Sequence, residues 1–250
     1  MLCDDYRFSD FTLDNYLKLL KKAKKNFNFV FFSDFNDQKN ILLRHDIDVS
    51  IQSAGKMARI EENLGIRSTY FTLVHSEFYN LLDKPNLTSL RAILSMGHAI
   101  GLHFDSHFYD ITNLDELRRF LNIDKCILED FLGIKVKDFS FHINDNFTLS
   151  VKEDVISGMV NVYSDKYMKN IAYCSDSMGY WRYDRLEDML ESCSGSFQLL
   201  IHPCWWQAEI LPPRRRIFKI IDKHGRYLKN NWDKMLFENR AKNIDWDKVL

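Results

Sequence analysis

Three of the eight histidines lie within the eleven residues GHAIGLHFDSH at positions 97–107. Two of them, His103 and His107, are four residues apart. Neutral imidazole is the usual nitrogen ligand of zinc and similar metals, and two rings that share one turn can converge on one ion. Paired histidines are also frequent on protein surfaces. The pair therefore indicates a metal site only if a further ligand joins it.

A possible further ligand lies in the stretch RHDID, residues 44–48. Arg44, Asp46 and Asp48 alternate, so on a strand their side chains share one face. Two carboxylates that are so close need a cation to neutralise one of them, or the pKa of one must rise. A solvated turn rich in aspartate is the alternative. One carboxylate with two histidines would make three protein ligands and leave positions open for water, as in catalytic sites.

The stretch LLIHPCWW places His202 after a run of apolar residues and before Pro203. Because proline cannot continue a central strand, the strand should end at this histidine. A histidine at a strand end is either a hydrogen-bonded core residue or a proton donor and acceptor. Trp205 and Trp206 are either ordinary packing, or one of them forms an apolar wall beside a sugar.

The elements that would position these residues alternate along the chain. Apolar, β-branched or aromatic runs predict strands at residues 41–48, 68–74, 99–104, 138–143, 171–176 and 197–203. Helical patterns predict a helix at about 12–25, one after the N-cap Ser50, one from Asn113 to Gly133, and a long one after Pro212 and Pro213. This alternation predicts a mostly parallel sheet with helices outside it, open or closed into a barrel.

Active residues of such folds gather at the carboxyl ends of the strands. Polar residues do end the predicted strands here: Asp46 and Asp48, His75, His103, His142, Asp176 and His202.

The bulk composition indicates a soluble protein of 250 residues with a formal net charge of −1. We expect one domain over residues 1–250, because no linker rich in glycine, serine or proline divides the chain. A net charge close to zero gives no reason to expect nucleic acid as a partner. No apolar run is long enough to span a bilayer. The acidic start lacks the pattern of a signal peptide, and five scattered cysteines suggest free thiols, so we expect a cytoplasmic protein.

The sequence resembles the polysaccharide deacetylases, the NodB-type domain of carbohydrate esterase family four, over nearly its whole length. RHDID resembles the first motif of that family, which implies Asp46 as the general base and Asp48 as a metal ligand. GHAIGLHFDSH resembles the second motif, which implies His103 and His107 as the other two ligands. LLIHP resembles the late motif, which implies His202 as the general acid.

Two further stretches bear on the same resemblance. YCSDSMGYW resembles the motif whose aspartate and tryptophan flank the site, here Asp176 and Trp181. The third motif usually holds an arginine that pairs with the catalytic aspartate, but this chain reads FSFHINDN. Either His142 or Arg44 then takes the electrostatic role of that arginine, or the catalytic aspartate is held less firmly.

The resemblance implies a distorted (β/α) barrel of about seven parallel strands. It also implies a metal-dependent hydrolase that removes an N-acetyl group from a sugar, in a cytoplasmic branch associated with lipopolysaccharide or capsule biosynthesis. Zinc is the first choice of divalent metal. Two alternatives stay open: a non-catalytic module that binds a glycan or a partner enzyme, and a hydrolase of another amide, such as an N-formyl or cyclic amide. The sugar, its carrier and the oligomeric state are not predicted.

Overall fold

A computed structural model describes residues 6–36 and 38–244. The strands are β1 Asn28–Phe29, β2 Asn40–Ile47, β3 Thr69–Leu73, β4 Ala99–Asp105, β5 Asp138–His142, β6 Val155–Ile156, β7 Met159–Asn161, β8 Ala172–Ser175 and β9 Phe197–Ile201. The α-helices are α1 Leu13–Ala23, α2 Ile51–Asn63, α3 Lys84–Ser95, α4 Leu114–Leu132, α5 Asn146–Ser150, α6 Asp165–Met168, α7 Leu186–Ser192 and α8 Pro213–Glu238. Short 3-10 turns lie at Phe8–Phe11, Phe32–Asp34, Ser177–Gly179 and Pro203–Trp205.

All of these strands belong to one sheet. Its order is β6-β7-β5-β4-β3-β2-β9-β8, and β1 pairs with the start of β2. From β7 to β8 every neighbouring pair is parallel, whereas β6 runs antiparallel to β7. The mostly parallel sheet with helices around it confirms the predicted fold class, including its seven parallel strands.

The sheet curls, and side chains bridge its interior. The Arg44 guanidinium of β2 donates to the Tyr163 hydroxyl at 2.8 Å. Gln198 of β9 donates to the Val162 carbonyl at 3.3 Å. Val162 and Tyr163 directly follow β7, which is four places from β2 in the sheet. Only a curled sheet brings these positions together, so the fold is a half-barrel with a polar interior beside β2.

Every residue of β2 is buried, as expected for a central parallel strand that is covered on both faces. Alternation divides its side chains between the two faces. Arg44 and Asp46 point into the barrel, while His45 contacts Glu61 of α2 at 2.8 Å. The strand thus delivers Asp46 and the following Asp48 to one end of the barrel.

The predicted helix signals are confirmed. Ser50 caps α2 by accepting a hydrogen bond from the Ser53 amide, and Asn113 caps α4 by accepting one from the Glu116 amide. Gly133 ends α4 in the left-handed conformation at φ 68°, which glycine adopts without steric cost.

The sequence patterns do not predict seven of the described helices and strands. Each of them is either short or weakly periodic: β1, β6, β7, α3, α5, α6 and α7. Within the described part of the chain, no helix is both long and apolar enough to cross a bilayer.

Candidate active site

The polar strand ends meet at the carboxyl edge of the curled sheet. Asp48 follows β2, His103 lies in β4, and His142 is the last residue of β5. Asp176 follows β8 and His202 follows β9. Since neighbouring parallel strands end at the same edge, residues far apart in sequence become neighbours here, as the alternation of elements predicts.

Asp48, His103 and His142 form the centre of this cluster. The Asp48 Oδ1 atom is 3.2 Å from His103 Nε2 and 3.5 Å from His142 Nδ1. The two ring nitrogens are 3.1 Å apart. Burial raises the pKa of Asp48, but the two rings outweigh burial and hold it well below its usual range. An ionised carboxylate and two imidazoles are a donor set that suits a divalent metal.

Ser140 orients His103 within this cluster. The Ser140 hydroxyl lies 2.7 Å from His103 Nδ1 and donates to Asp46 Oδ1 at 3.4 Å. A hydroxyl that donates to the carboxylate accepts from the ring, so the proton sits on His103 Nδ1 and the Nε2 lone pair faces Asp48. No sequence motif points to Ser140, although the alternation in β5 places it on the same face as His142.

Asp46 is held by Arg44. The guanidinium donates to Asp46 Oδ2 at 3.1 Å, and the Arg44 side chain is fully buried. Burial lowers the pKa of Arg44, but the Asp46 carboxylate outweighs burial and raises it above the ordinary value. Gln198 accepts a further hydrogen bond from Arg44 at 3.0 Å. Of the two residues considered for the missing arginine, Arg44 is therefore the one that pairs with Asp46.

His202 is oriented by a buried carboxylate. Its Nδ1 is 2.6 Å from Asp176 Oδ1, and its backbone amide also donates to Asp176. Trp206 donates its indole N–H to Asp176 Oδ2 at 2.7 Å. Burial lowers the pKa of His202, but the Asp176 and Asp48 carboxylates outweigh burial and raise it to about 9. The His202 Nε2 atom points back to the cluster, 3.9 Å from Asp48 Oδ2.

His107 lies outside the cluster formed by Asp48, His103 and His142. Its side chain is 49% exposed, with Nδ1 3.5 Å from Asp105 Oδ1 and Nε2 3.5 Å from Asp145 Oδ2. The physical reason is that β4 runs to Asp105, so His103 is extended and His107 lies in the following turn. The two histidines do not share a helical turn, and the structure does not bring together the ligand set that the sequence predicts.

The three tryptophans that the sequence places near the site have different surroundings. Trp181 donates its indole N–H to Asp10 at 3.0 Å and stacks on Phe11. Trp205 packs against Gly179, and its indole nitrogen is buried without a hydrogen-bond partner. Trp206 is the tryptophan that reaches the Asp176–His202 pair, and it does so as a hydrogen-bond donor.

No protein-family model matches the sequence, and no curated protein matches it significantly. Solved structures with a similar outline include the Xyl-CE4 domain of a multidomain xylanase from the hindgut metagenome of Trinervitermes trinervoides (13% identity, 84% of this chain, 96% of that chain, TM-score 0.44). A second is the peptidoglycan deacetylase PdaC from Bacillus subtilis (16% identity, 82% and 96%, TM-score 0.43). A third is a CE4 family pseudoenzyme from Bacillus anthracis (14% identity, 82% and 77%, TM-score 0.45). These neighbours include both enzymes and a pseudoenzyme, and likenesses this distant assign no activity to this chain.

Proposed function

We propose that this protein is a metal-dependent N-deacetylase that acts on an N-acetylated sugar of a cell-surface polysaccharide precursor. One observation supports the proposal. At the carboxyl edge of the sheet, two pairs of side chains flank the cluster of Asp48, His103 and His142. One pair is a buried carboxylate with a cationic partner, and the other is an imidazole with an anionic partner. Asp46 with Arg44 is the first pair, and His202 with Asp176 is the second. Amide hydrolysis needs a base and an acid so arranged.

The residues present fit a divalent metal. Asp48 Oδ1 is buried and has no hydrogen-bond partner, although an unsatisfied buried carboxylate oxygen is costly. Asp48 and His103, with a second histidine, would hold the ion, and zinc is the first choice for such ligands. When bound, the ion would polarise the acetamide carbonyl and lower the pKa of a water.

The two flanking pairs divide the proton transfers. Asp46 accepts the proton of the attacking water, while Arg44 fixes its carboxylate by a charge-assisted hydrogen bond. His202 donates a proton to the departing nitrogen, which could not leave as an amide anion. Its raised pKa of about 9 keeps the imidazole protonated at neutral pH, as that role requires.

The place of action is part of the same proposal. The described cysteines Cys126, Cys174, Cys193 and Cys204 are free thiols, which suits a reducing cytoplasm. There the enzyme would meet a nucleotide sugar or a lipid-linked oligosaccharide before export.

The proposal is tested by loading the purified chain with zinc and screening N-acetylated nucleotide sugars and lipid-linked oligosaccharides for release of acetate and a free amine. Equal release of both products, abolished by a chelator, is the expected result. A metal-loaded protein that is inert towards all of these amides, including N-formyl and cyclic ones, would favour a non-catalytic binding module instead.

A further inference from the structure

We infer that His142, rather than His107, is the third protein ligand of the metal, so that the site is built from three strands of the sheet. The inference rests on the proposed function only for the presence of a metal. It makes the ligand set Asp48 after β2, His103 in β4 and His142 at the end of β5.

The spacing of the three ligand atoms is that of one face of a tetrahedron. Metal–ligand bonds of about 2.0–2.2 Å place neighbouring tetrahedral ligands about 3.3–3.6 Å apart. Asp48 Oδ1, His103 Nε2 and His142 Nδ1 are separated by 3.1, 3.2 and 3.5 Å. Three protein atoms at these distances leave the fourth position open, which is the arrangement of catalytic zinc sites.

Hydrogen bonding explains only one of these three approaches, that of His142 Nδ1 to His103 Nε2. Neither ring donates a well-aligned hydrogen bond to Asp48 Oδ1, and this buried oxygen is left without a partner. Lone pairs of His103 and Asp48 instead converge on the space between them, because Ser140 fixes the proton on the other nitrogen of His103. No hydrogen lies between these two acceptors, and a cation bound between them would stabilise their approach. Metal binding would displace the proton that the two rings share.

The backbone around His142 is unusual in a way that fits a fixed ligand. Ile143 follows immediately with φ 46°, a left-handed conformation that is an outlier for a β-branched residue. Its side chain is exposed, so no packing of that side chain accounts for the strained turn. Strain of this kind clusters at functional sites, where it holds a neighbouring group in place.

The Arg44–Asp46 pair makes a histidine at position 142 possible. With Asp46 already neutralised from its own strand, β5 need not supply a cation to it.

His107 has other partners. Its two ring nitrogens face Asp105 and Asp145, which belong to the end of β4 and the start of α5. The ring therefore links two loops at the rim of the site, half exposed to solvent. A histidine held in this way serves as a matched control for His142.

The test compares His142→Ala with His107→Ala in metal content after dialysis, metal affinity, and the visible spectrum of the cobalt-loaded protein. We expect His142→Ala to lose affinity by more than the about 10–100-fold that removal of an outer hydrogen-bond partner costs. We expect His107→Ala to keep one ion per chain and the wild-type cobalt spectrum. His142→Cys, which restores a ligand atom, should recover binding with a new thiolate-to-cobalt absorption band.

Circular dichroism and thermal unfolding of the metal-free variants check that they fold. Loss of metal from His107→Ala, alone or together with His142→Ala, would overturn the inference. Retention of wild-type affinity by His142→Ala would also overturn it, as would a wild-type chain that binds no metal. A wild-type chain that binds metal through His142 but deacetylates nothing would leave this inference standing and refute the proposed function.

Discussion

At the residue scale, the two aspartates of the RHDID stretch differ in their surroundings although one residue separates them. Asp46 is only 2% exposed and is held by Arg44 and Ser140. Asp48 lies one residue beyond the end of β2, among three histidine rings. Asp46 is fixed beside the cluster by its partners and is placed to act as a base, whereas Asp48 faces imidazoles and is suited to bind a metal.

The first prediction separates these roles. Asp46→Asn should keep the metal and lose about 10²–10⁴-fold in kcat, because general-base catalysis contributes that much. Asp48→Asn should weaken metal binding itself, because an amide is a poorer ligand than a carboxylate. Metal titration and steady-state kinetics on both variants check this. Equal metal affinities in the two variants would show that the division of roles is wrong.

The second prediction concerns the buried Arg44–Asp46 ion pair. Removing one partner leaves an uncompensated buried charge, so Arg44→Met should lower the free energy of unfolding by about 3–5 kcal/mol. The double variant with Asp46→Asn should lose much less than the sum of the single changes, because no lone charge remains. Denaturant unfolding of the two single variants and the double variant measures this coupling. Strict additivity would mean that the pair does not interact.

At the element scale, parallel strands bring different residues to their two ends. The carboxyl ends carry the site, whereas the amino end of β5 begins with Asp138, which is 4% exposed. One of its carboxylate oxygens has no hydrogen-bond partner. Burial raises the pKa of Asp138 to about 7. This residue is a cost to stability that the site does not use.

The third prediction follows from this raised pKa. The folded protein holds the Asp138 proton up to about pH 7, whereas the unfolded chain releases it near the ordinary pKa of 3.8. The unfolding free energy should therefore fall by about 1.4 kcal/mol for each pH unit between about 4 and 7, because the folded state there binds one more proton. Asp138→Asn cannot ionise, so it should be more stable than the wild type at pH 8 and similar to it at pH 4. Urea unfolding at pH 8 and pH 4 measures this difference. If Asp138→Asn were more stable than the wild type by the same amount at both pH values, the raised pKa of Asp138 would be wrong.

At the scale of the whole molecule, the proposed site lies at one end of a curled sheet, beside the loops that follow its strands. The cytoplasmic location that we propose would bring the enzyme to short precursors rather than to finished polymer. We therefore predict that metal-loaded protein deacetylates N-acetylated nucleotide sugars or lipid-linked oligosaccharides faster than chitin or peptidoglycan chains. Acetate release at matched concentrations of acetyl groups provides the comparison. Ready cleavage of polymer without any turnover of small acceptors would refute the predicted substrate class.

Much of this architecture is predictable because its signals are local. Apolar runs and caps such as Ser50 and Asn113 define the strands and helices, and the strand ends carry polar residues. The proposed metal ligands, in contrast, come from distant parts of the sequence. The spacing of His103 and His107 suggests convergence only on a helical turn, and β4 is extended there. His142 approaches Asp48 because the sheet curls between β2 and β5, and no pattern within either strand encodes that distance.

The curled sheet closes through side chains rather than through a backbone ladder. In the described ranges, β8 and β6 are the two ends of the strand order. Arg44 of β2 and Gln198 of β9 cross the interior to Tyr163 and Val162, which follow β7. These side-chain contacts can break while the central strands stay folded. In deuterium exchange, the amides of β8 and β6 should exchange through low-energy local opening, whereas those of β2, β3 and β4 should wait for global unfolding. Water would then enter the polar interior from the side while the strands that carry Asp48 and His103 stay in register.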